Sequence, residues 1–229
     1  MTDGRKQHIR VPRYSGSARI NHWIVAITFV LLLLSGLSLF VPALFPLSAL
    51  FGGGRVVRWL HPMLGLILAV AFLGLFFRFF WQNLPEFTDL VWLRRIKHVL
   101  AAEDQYLPEI GKYNPGQKFV FWSQFVLVGT LFITGVGLWE QGLGYVRDWT
   151  GIYPTIEVKR LAAVIHAVAA VLAIAIWIIH VYAAIWVRGT LSGMTRGSVT
   201  GGYGWRHHRK WLRREVAKGE IERPKVAAN

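Results

Sequence analysis

Cysteine is absent from this 229-residue chain. It can therefore form neither a disulfide framework nor a cysteine-ligated iron–sulfur cluster, and any such cluster has to belong to a partner. Acid is scarce as well: twelve Asp and Glu stand against twenty-six Lys and Arg, a formal charge of +14. Charge of either sign is scarcest in four stretches, His22–Val41, His61–Trp81, Phe119–Trp139 and Leu161–Val187, where Arg78 is the one charged side chain. Each runs about 20 residues or more, the length that a hydrocarbon core of about 30 Å demands at about 1.5 Å per residue. A soluble core helix would be shorter and would show a polar face. The sequence predicts an all-α membrane protein, a four-transmembrane-helix bundle with spans at 22–41, 61–81, 119–139 and 161–187.

So basic a chain invites a nucleic-acid reading, but the location of the charge argues against one. Twenty Lys and Arg fall in the leader Met1–Asn21, in Gln82–Lys118 and from Arg188 onward, whereas the two intervening loops hold five. That asymmetry predicts both termini and the middle loop in the cytoplasm. The positive charge then acts as an orientation signal with an attraction to anionic membrane lipid, and no nucleic acid is expected. The first apolar run is too long for a cleaved signal, and no small-x-small site follows Leu39-Phe40-Val41-Pro42, so it is expected to be retained. The organisation read here is a cytoplasmic basic leader (1–21), a membrane domain (22–188) and a cytoplasmic basic tail (189–229).

Between the spans the signals are weaker. Helix two is expected to begin at His61-Pro62, because Pro suits the first helical position. A glycine loop (Gly52-Gly53-Gly54) precedes it, and a second outer loop covers 141–157. In Asp89–Ala101, residues Trp92, Leu93, Ile96, Val99 and Leu100 recur at helical spacing opposite Arg94, Arg95 and Lys97, which predicts an amphipathic helix on the inner membrane surface. The glycine-rich, then strongly basic tail reads as a solvated or partner-bound extension. No internal repeat is evident.

Of eight histidines, four fall at membrane depth: His22, His61, His166 and His180. An ionisable side chain inside a span is costly and therefore points to function, although a single one is more often a cap or an inter-helix hydrogen bond. His166 and His180 are fourteen residues apart on one helix. At about 100° per residue they share a face, and they lie about 21 Å apart along the axis. They cannot share one metal. Depth pairs His61 with His166 near the outer surface and His22 with His180 near the inner one. Two imidazoles from different helices suit a haem iron with both axial positions filled, which favours electron transfer over oxygen chemistry. Zinc or copper normally takes three or four protein ligands at one depth. The expected cofactors are two b haems, with His22 and His180 on the inner iron and His61 and His166 on the outer.

Ala169, Ala170 and Ala173 on the His166 face, with Gly65 and Gly36, would let either a porphyrin edge or a neighbouring helix approach closely. Trp177 shares that face and reads as packing. His8, His98, His207 and His208 are expected to be surface residues or partner contacts, since adjacent His207 and His208 cannot share one helical face.

These residues resemble the cytochrome b (gamma) subunit of membrane-bound respiratory formate dehydrogenases, within the cytochrome b561-like di-haem membrane family. The resemblance covers nearly the whole chain. Its pieces are His22-Trp23, Ser35-Gly36, Arg58-Trp59-Leu60-His61-Pro62, Phe121-Trp122-Ser123, Thr134-Gly135-Val136, Ile165-His166-Ala167, Ile179-His180-Val181-Tyr182, Trp186-Val187-Arg188-Gly189, Gly193-Met194, His207-His208 and Trp211. Most specific is the loop Gly111-Lys112-Tyr113-Asn114-Pro115-Gly116-Gln117-Lys118-Phe119, in which Pro115 replaces the small residue expected in the family. The histidine set alone is shared with the cytochrome b subunits of nickel–iron hydrogenases and thiosulfate reductase.

The resemblance implies a three-subunit enzyme in the bacterial cytoplasmic (inner) membrane. A molybdenum or tungsten catalytic (alpha) subunit would oxidise formate on the outer side, and an iron–sulfur (beta) subunit would pass the electrons to the outer haem. A quinone would be reduced beside the inner haem by Asn114, Gly116, Gln117 and His180, with Lys112 and Lys118 as candidate helpers in proton delivery. Asn114, Pro115 and Gln117 also read as a capping box for helix three, a role compatible with binding. The cations nearest in depth to haem propionates are Arg19, Arg55, Arg58 and Lys159. The alternatives are an equivalent hydrogenase or thiosulfate reductase subunit, a stand-alone two-haem oxidoreductase, and a haem-free anchor or transporter.

Overall fold

A computed structural model describes residues 9–101, 103–151 and 153–219, so the start of the leader with His8 and the last ten residues of the tail lie outside the described residues. In chain order the elements are β1 (Arg10–Pro12), α1 (Gly16–Phe40), a 3-10 stretch (Pro42–Phe51), α2 (Gly54–Phe79), a 3-10 turn (Phe80–Asn83), α3 (Phe87–Arg94) and α4 (Ile96–Leu100). After a 3-10 turn at Asp104–Tyr106 come α5 (Pro115–Leu138), α6 (Glu140–Thr150), α7 (Ile156–Trp186), α8 (Thr190–Arg196), β2 (Ser198–Thr200), α9 (Gly201–His207) and α10 (Arg209–Ala217). Helices α1, α2, α5 and α7 are long and apolar enough to cross a membrane. The chain is an all-α membrane protein, relieved only by one two-stranded antiparallel sheet among the described residues.

The long helices overrun the spans expected from hydropathy at their starts. Helix α1 begins at Gly16, α2 at Gly54 and α7 at Ile156. Apolar runs mark only the part that lipid requires, whereas a helix continues until its backbone is stopped. Pro62 therefore lies inside α2 rather than at its first position, where it denies the Arg58 carbonyl its usual partner four residues on. The stop before α2 is glycine: Gly52 and Gly53 have φ of 88° and 95°, a region costly for side chains with a Cβ. The loop between the third and fourth long helices holds a helix, α6, rather than irregular chain.

The chain divides into two compact units. One comprises residues 20–78 and 120–179. Here Phe76 stacks on Phe121 and Phe125, with ring centroids 5.3 and 4.0 Å apart, and meets the edge of Trp122. Trp177 stacks on Phe29 at 5.8 Å, a packing role as expected. The Ala173 carbonyl accepts from the Gln124 side chain (3.2 Å), so at Ala173 the small residue admits a neighbouring helix.

The other unit comprises described residues from 9–19, 79–119 and 180–219. Strand β1 pairs with β2, Val11 opposite Val199. Val11, Val199, Tyr203, Trp211 and Leu212 form a buried cluster with Val187 against it. The described part of the tail is thus folded, contrary to the expected solvated or partner-bound extension. Its core comes from five residues scattered over the two ends of the chain, too sparse to register as a hydrophobic period. The surface helix at 89–101 is broken: α3 ends at Arg94 and α4 begins at Ile96. Trp92 turns inward, while Phe87, Leu90, Leu93 and Leu100 stay exposed. Lys118 is buried and anchors this segment through the Asp89 carboxylate (2.8 Å) and the Leu84 carbonyl (2.9 Å).

Candidate haem site

His61 and His166 come together. His61 sits two turns into α2, His166 three turns into α7, and both are half-buried. Their ring centroids are 6.4 Å apart with the planes crossed at 67°. Each ring is anchored through Nδ1: that of His61 lies 2.8 Å from Ser35 Oγ on α1, that of His166 2.8 Å from Thr134 Oγ1 on α5. Beside each hydroxyl is a glycine. A Cβ built on Gly36 would stand 3.2 Å from His61 Cε1, and one on Gly135 would stand 3.3 Å from His166 Cε1. Both approaches are tight enough that a larger residue would push the imidazole aside.

This donor set fits a haem. An imidazole nitrogen lies about 1.1 Å from its ring centre, so rings at this spacing leave room for nitrogens about 4 Å apart, the span of two metal–imidazole bonds of about 2.0–2.1 Å. One turn beyond His61, a Cβ added at Gly65 would meet no described atom within 4 Å, which leaves space beside the ring.

The other expected ligands are described singly. His22 lies in the second turn of α1, half-buried, its ring edge-on to Trp23 at 5.6 Å. His180 lies two turns before the end of α7 and is exposed. Of the candidate propionate partners, Lys159 is engaged by Glu140 at 2.8 Å and Arg19 donates to the Thr195 carbonyl at 2.7 Å, while Arg55 and Arg58 are exposed.

At the start of α5 the capping box is present. Asn114 Oδ1 accepts from the Gln117 N–H (2.8 Å), and Gln117 Oε1 accepts from the Asn114 N–H (2.9 Å). Gly116 lies close beneath the Asn114 side chain. The cap consumes the two side-chain carbonyl oxygens, and no described hydrogen bond takes either NH2 group. Asn114 also lines a cavity of about 60 Å³ with Asp104, Glu109 and His207. Lys112, its ammonium over the rings of Tyr14 and Phe79, has its pKa lowered to about 8 by burial and then by the charge of Arg13.

His208 overturns the expectation of a surface residue or partner contact. It is 1% exposed. Its Nδ1 faces the Gly111 carbonyl at 2.9 Å, and its Nε2 faces Tyr203 Oη and Arg13 Nη2, both at 3.3 Å. Burial, then the Arg13 charge, pushes its pKa down to about 3. His207 is partly buried and lies 4.0 Å from Asp104. Arg13, from the leader, is itself buried, donates to the Lys112 carbonyl at 2.6 Å and lies over the Trp211 ring at 4.8 Å. Adjacency in sequence hid this, because a helix break at His208 lets neighbouring residues face different ways. The hydroxyl–glycine pairs Ser35-Gly36 and Thr134-Gly135 were legible as dipeptides, each on the long helix preceding a histidine helix, but their partners were not.

A long-helix membrane fold that brings two hydroxyl-anchored imidazoles within 6.4 Å of each other, their planes crossed, has the makings of a haem-protein scaffold. The family description "prokaryotic cytochrome b561" matches residues 13–197, and the chain belongs to that family. Membership makes it a b-haem protein of membrane electron transfer. It is 38% identical to the cytochrome b556(Fdn) subunit of the nitrate-inducible formate dehydrogenase of Escherichia coli (strain K12), over 90% of this chain and 91% of that one. It is 35% identical to the cytochrome b556(fdo) subunit of formate dehydrogenase from the same organism, over 93% and 96%. It is 32% identical to the formate dehydrogenase cytochrome b556 subunit of Haemophilus influenzae, over 90% and 84%.

Proposed function

We propose that this chain is the membrane-anchoring, di-haem cytochrome b subunit of a formate dehydrogenase. It would carry electrons from an outer iron–sulfur subunit, fed by a molybdenum or tungsten subunit that oxidises formate, to a quinone reduced near the cytoplasmic side. The observation that carries this reading is the facing pair His61 and His166, each tethered through one nitrogen. The names of relatives that align over nine-tenths of the chain supply formate. A haem held between two imidazoles supplies one-electron transfer with no open iron position.

His61 and His166 hold the outer group, and His22 and His180, paired by their sequence depth, hold the inner one. The same depth argument sets the two levels about 21 Å apart along α7. Asn114 and Gln117 spend their carbonyl oxygens on the helix cap and keep their amide N–H groups, the donors a quinone carbonyl takes. The N-terminus of α5 beside them favours negative charge on a reduced quinone oxygen. Lys112, with a pKa near 8, remains mostly protonated at neutral pH and can return a proton gained from the cytoplasm.

Haem quantification and a reduced-minus-oxidised spectrum of the complex with its partner subunits test this. Two b haems per chain are expected, reduced by formate and reoxidised by added quinone. A colourless chain, or haems that formate leaves oxidised in the intact complex, would sink the reading.

A further inference from the structure

The paired anchors on His61 and His166 do more than crowd the rings. Ser35 Oγ donates to the Leu31 carbonyl one turn back at 2.7 Å, and Thr134 Oγ1 donates to the Thr130 carbonyl at 2.7 Å. A hydroxyl has one hydrogen, so each oxygen faces its imidazole with a lone pair. With the hydroxyl hydrogen on that carbonyl, the ring atom it meets is the donor, which puts the imidazole proton on Nδ1 and leaves the Nε2 lone pair for a metal. The adjacent glycines complete the constraint, because Gly36 and Gly135 let the Cε1 edge of each ring come against a helix backbone. The two devices match to within 0.1 Å in each distance although they lie on different helices about a hundred residues apart in sequence.

We infer that Ser35 and Thr134 are positioning residues that fix the tautomer of the outer axial pair, hold its planes crossed at 67° and tune the potential of the outer haem. This rests on the proposed ligation by His61 and His166. An acceptor on Nδ1–H makes the imidazole a stronger electron donor, which favours the ferric state. Two such acceptors on one iron lower its potential and keep the outer haem a weaker oxidant.

The test uses the intact complex carrying Ser35→Ala, Thr134→Ala or the conservative Ser35→Thr and Thr134→Ser. Redox titration of each alanine variant is expected to raise the outer potential, with the ferrous-to-ferric ratio at fixed potential up roughly tenfold, about 59 mV for one electron. The low-spin EPR signal of the outer haem should move as its freed ring rotates, and the conservative variants should restore both readouts. If an alanine variant loads no outer haem while its conservative counterpart does, the hydroxyl is still the required group. Two loaded haems with unchanged potential and EPR in both alanine variants would overturn the inference, as would conservative variants that behave like alanine. Failure of the ligation itself reads differently: a His61→Ala complex would keep both haems.

Discussion

His61 and His208 are both imidazoles withdrawn from water, yet they spend their nitrogens differently. His208 commits both, one to the Gly111 carbonyl and the other to Tyr203 and Arg13, and its side chain holds a loop, the tail and the leader in one cluster. His61 commits Nδ1 to Ser35, and His166 does the same with Thr134. What separates the proposed ligand from the structural histidine is therefore not burial, which favours His208, but the nitrogen left over. A buried polar group with every partner satisfied stabilises, and one held rigidly with a lone pair to spare binds.

That contrast breaks most visibly in haem content. His61→Ala or His166→Ala should each remove the outer haem and His22→Ala or His180→Ala the inner, one of the two per chain, whereas His208→Ala should keep both. Pyridine haemochrome quantification on the purified complex measures this, and a His208 variant short of haem would erase the distinction. Loss of His208 should register elsewhere. His208→Leu leaves the Gly111 carbonyl and the Arg13 guanidinium short of partners inside the cluster, at about 1–3 kcal/mol for each unsatisfied group. Trypsin should then cut the tail at sites such as Arg209 and Arg213 far sooner than in the native chain, and equal cleavage rates would show that the cluster does not depend on this ring.

A finer probe lies at the α5 cap. Asn114→Asp keeps the oxygen that caps the helix and deletes the NH2 group. Both haems should remain, with reoxidation by quinone slowed roughly two- to tenfold, the loss of one hydrogen bond of about 0.5–1.5 kcal/mol. Unchanged reoxidation in stopped flow would remove Asn114 from the quinone site.

The smallest effects are in pH. His208 is neutral in the fold, with a pKa near 3 against about 6.5 when unfolded, so the unfolded chain takes up the extra proton. Its contribution to tail stability is complete above about pH 6.5 and declines as pH falls toward 3. An acid protease active near pH 5 should therefore release the tail faster than a neutral one matched on an unfolded substrate. Lys112 runs the other way: its proton is available below about pH 8 and lost above it, so quinone reduction should fall off as pH rises past that point. Lys112→Met should flatten that limb of the profile.

How much of this was legible follows from the physics of each part. The four long helices were, because lipid imposes a length and a polarity that few sequences meet by accident. So was the pairing of His61 with His166, since depth can be counted from a helix start even when, as with Pro62, the start itself is misread. The α5 cap was legible too, because its partners are three residues apart. What escaped was non-local. Val11 and Val199, or Arg13 and His208, meet across almost the full chain, and no periodicity records such a meeting. The hydroxyl anchors escaped for the same reason: Ser35 and Thr134 stand on apolar helices with nothing nearby in sequence to announce an imidazole.

Strand β1 finds its mate in Ser198–Thr200, which leaves the ribosome nearly two hundred residues later. Until then Val11 has no strand to pair with, although Arg13 already has the Lys112 carbonyl and the Tyr113 ring within its reach. Pairing of the two strands can occur only on a chain translated past its fourth long helix. A product truncated before Ser198 would display an unpaired strand, a mark by which quality-control proteases could tell it from a full-length chain.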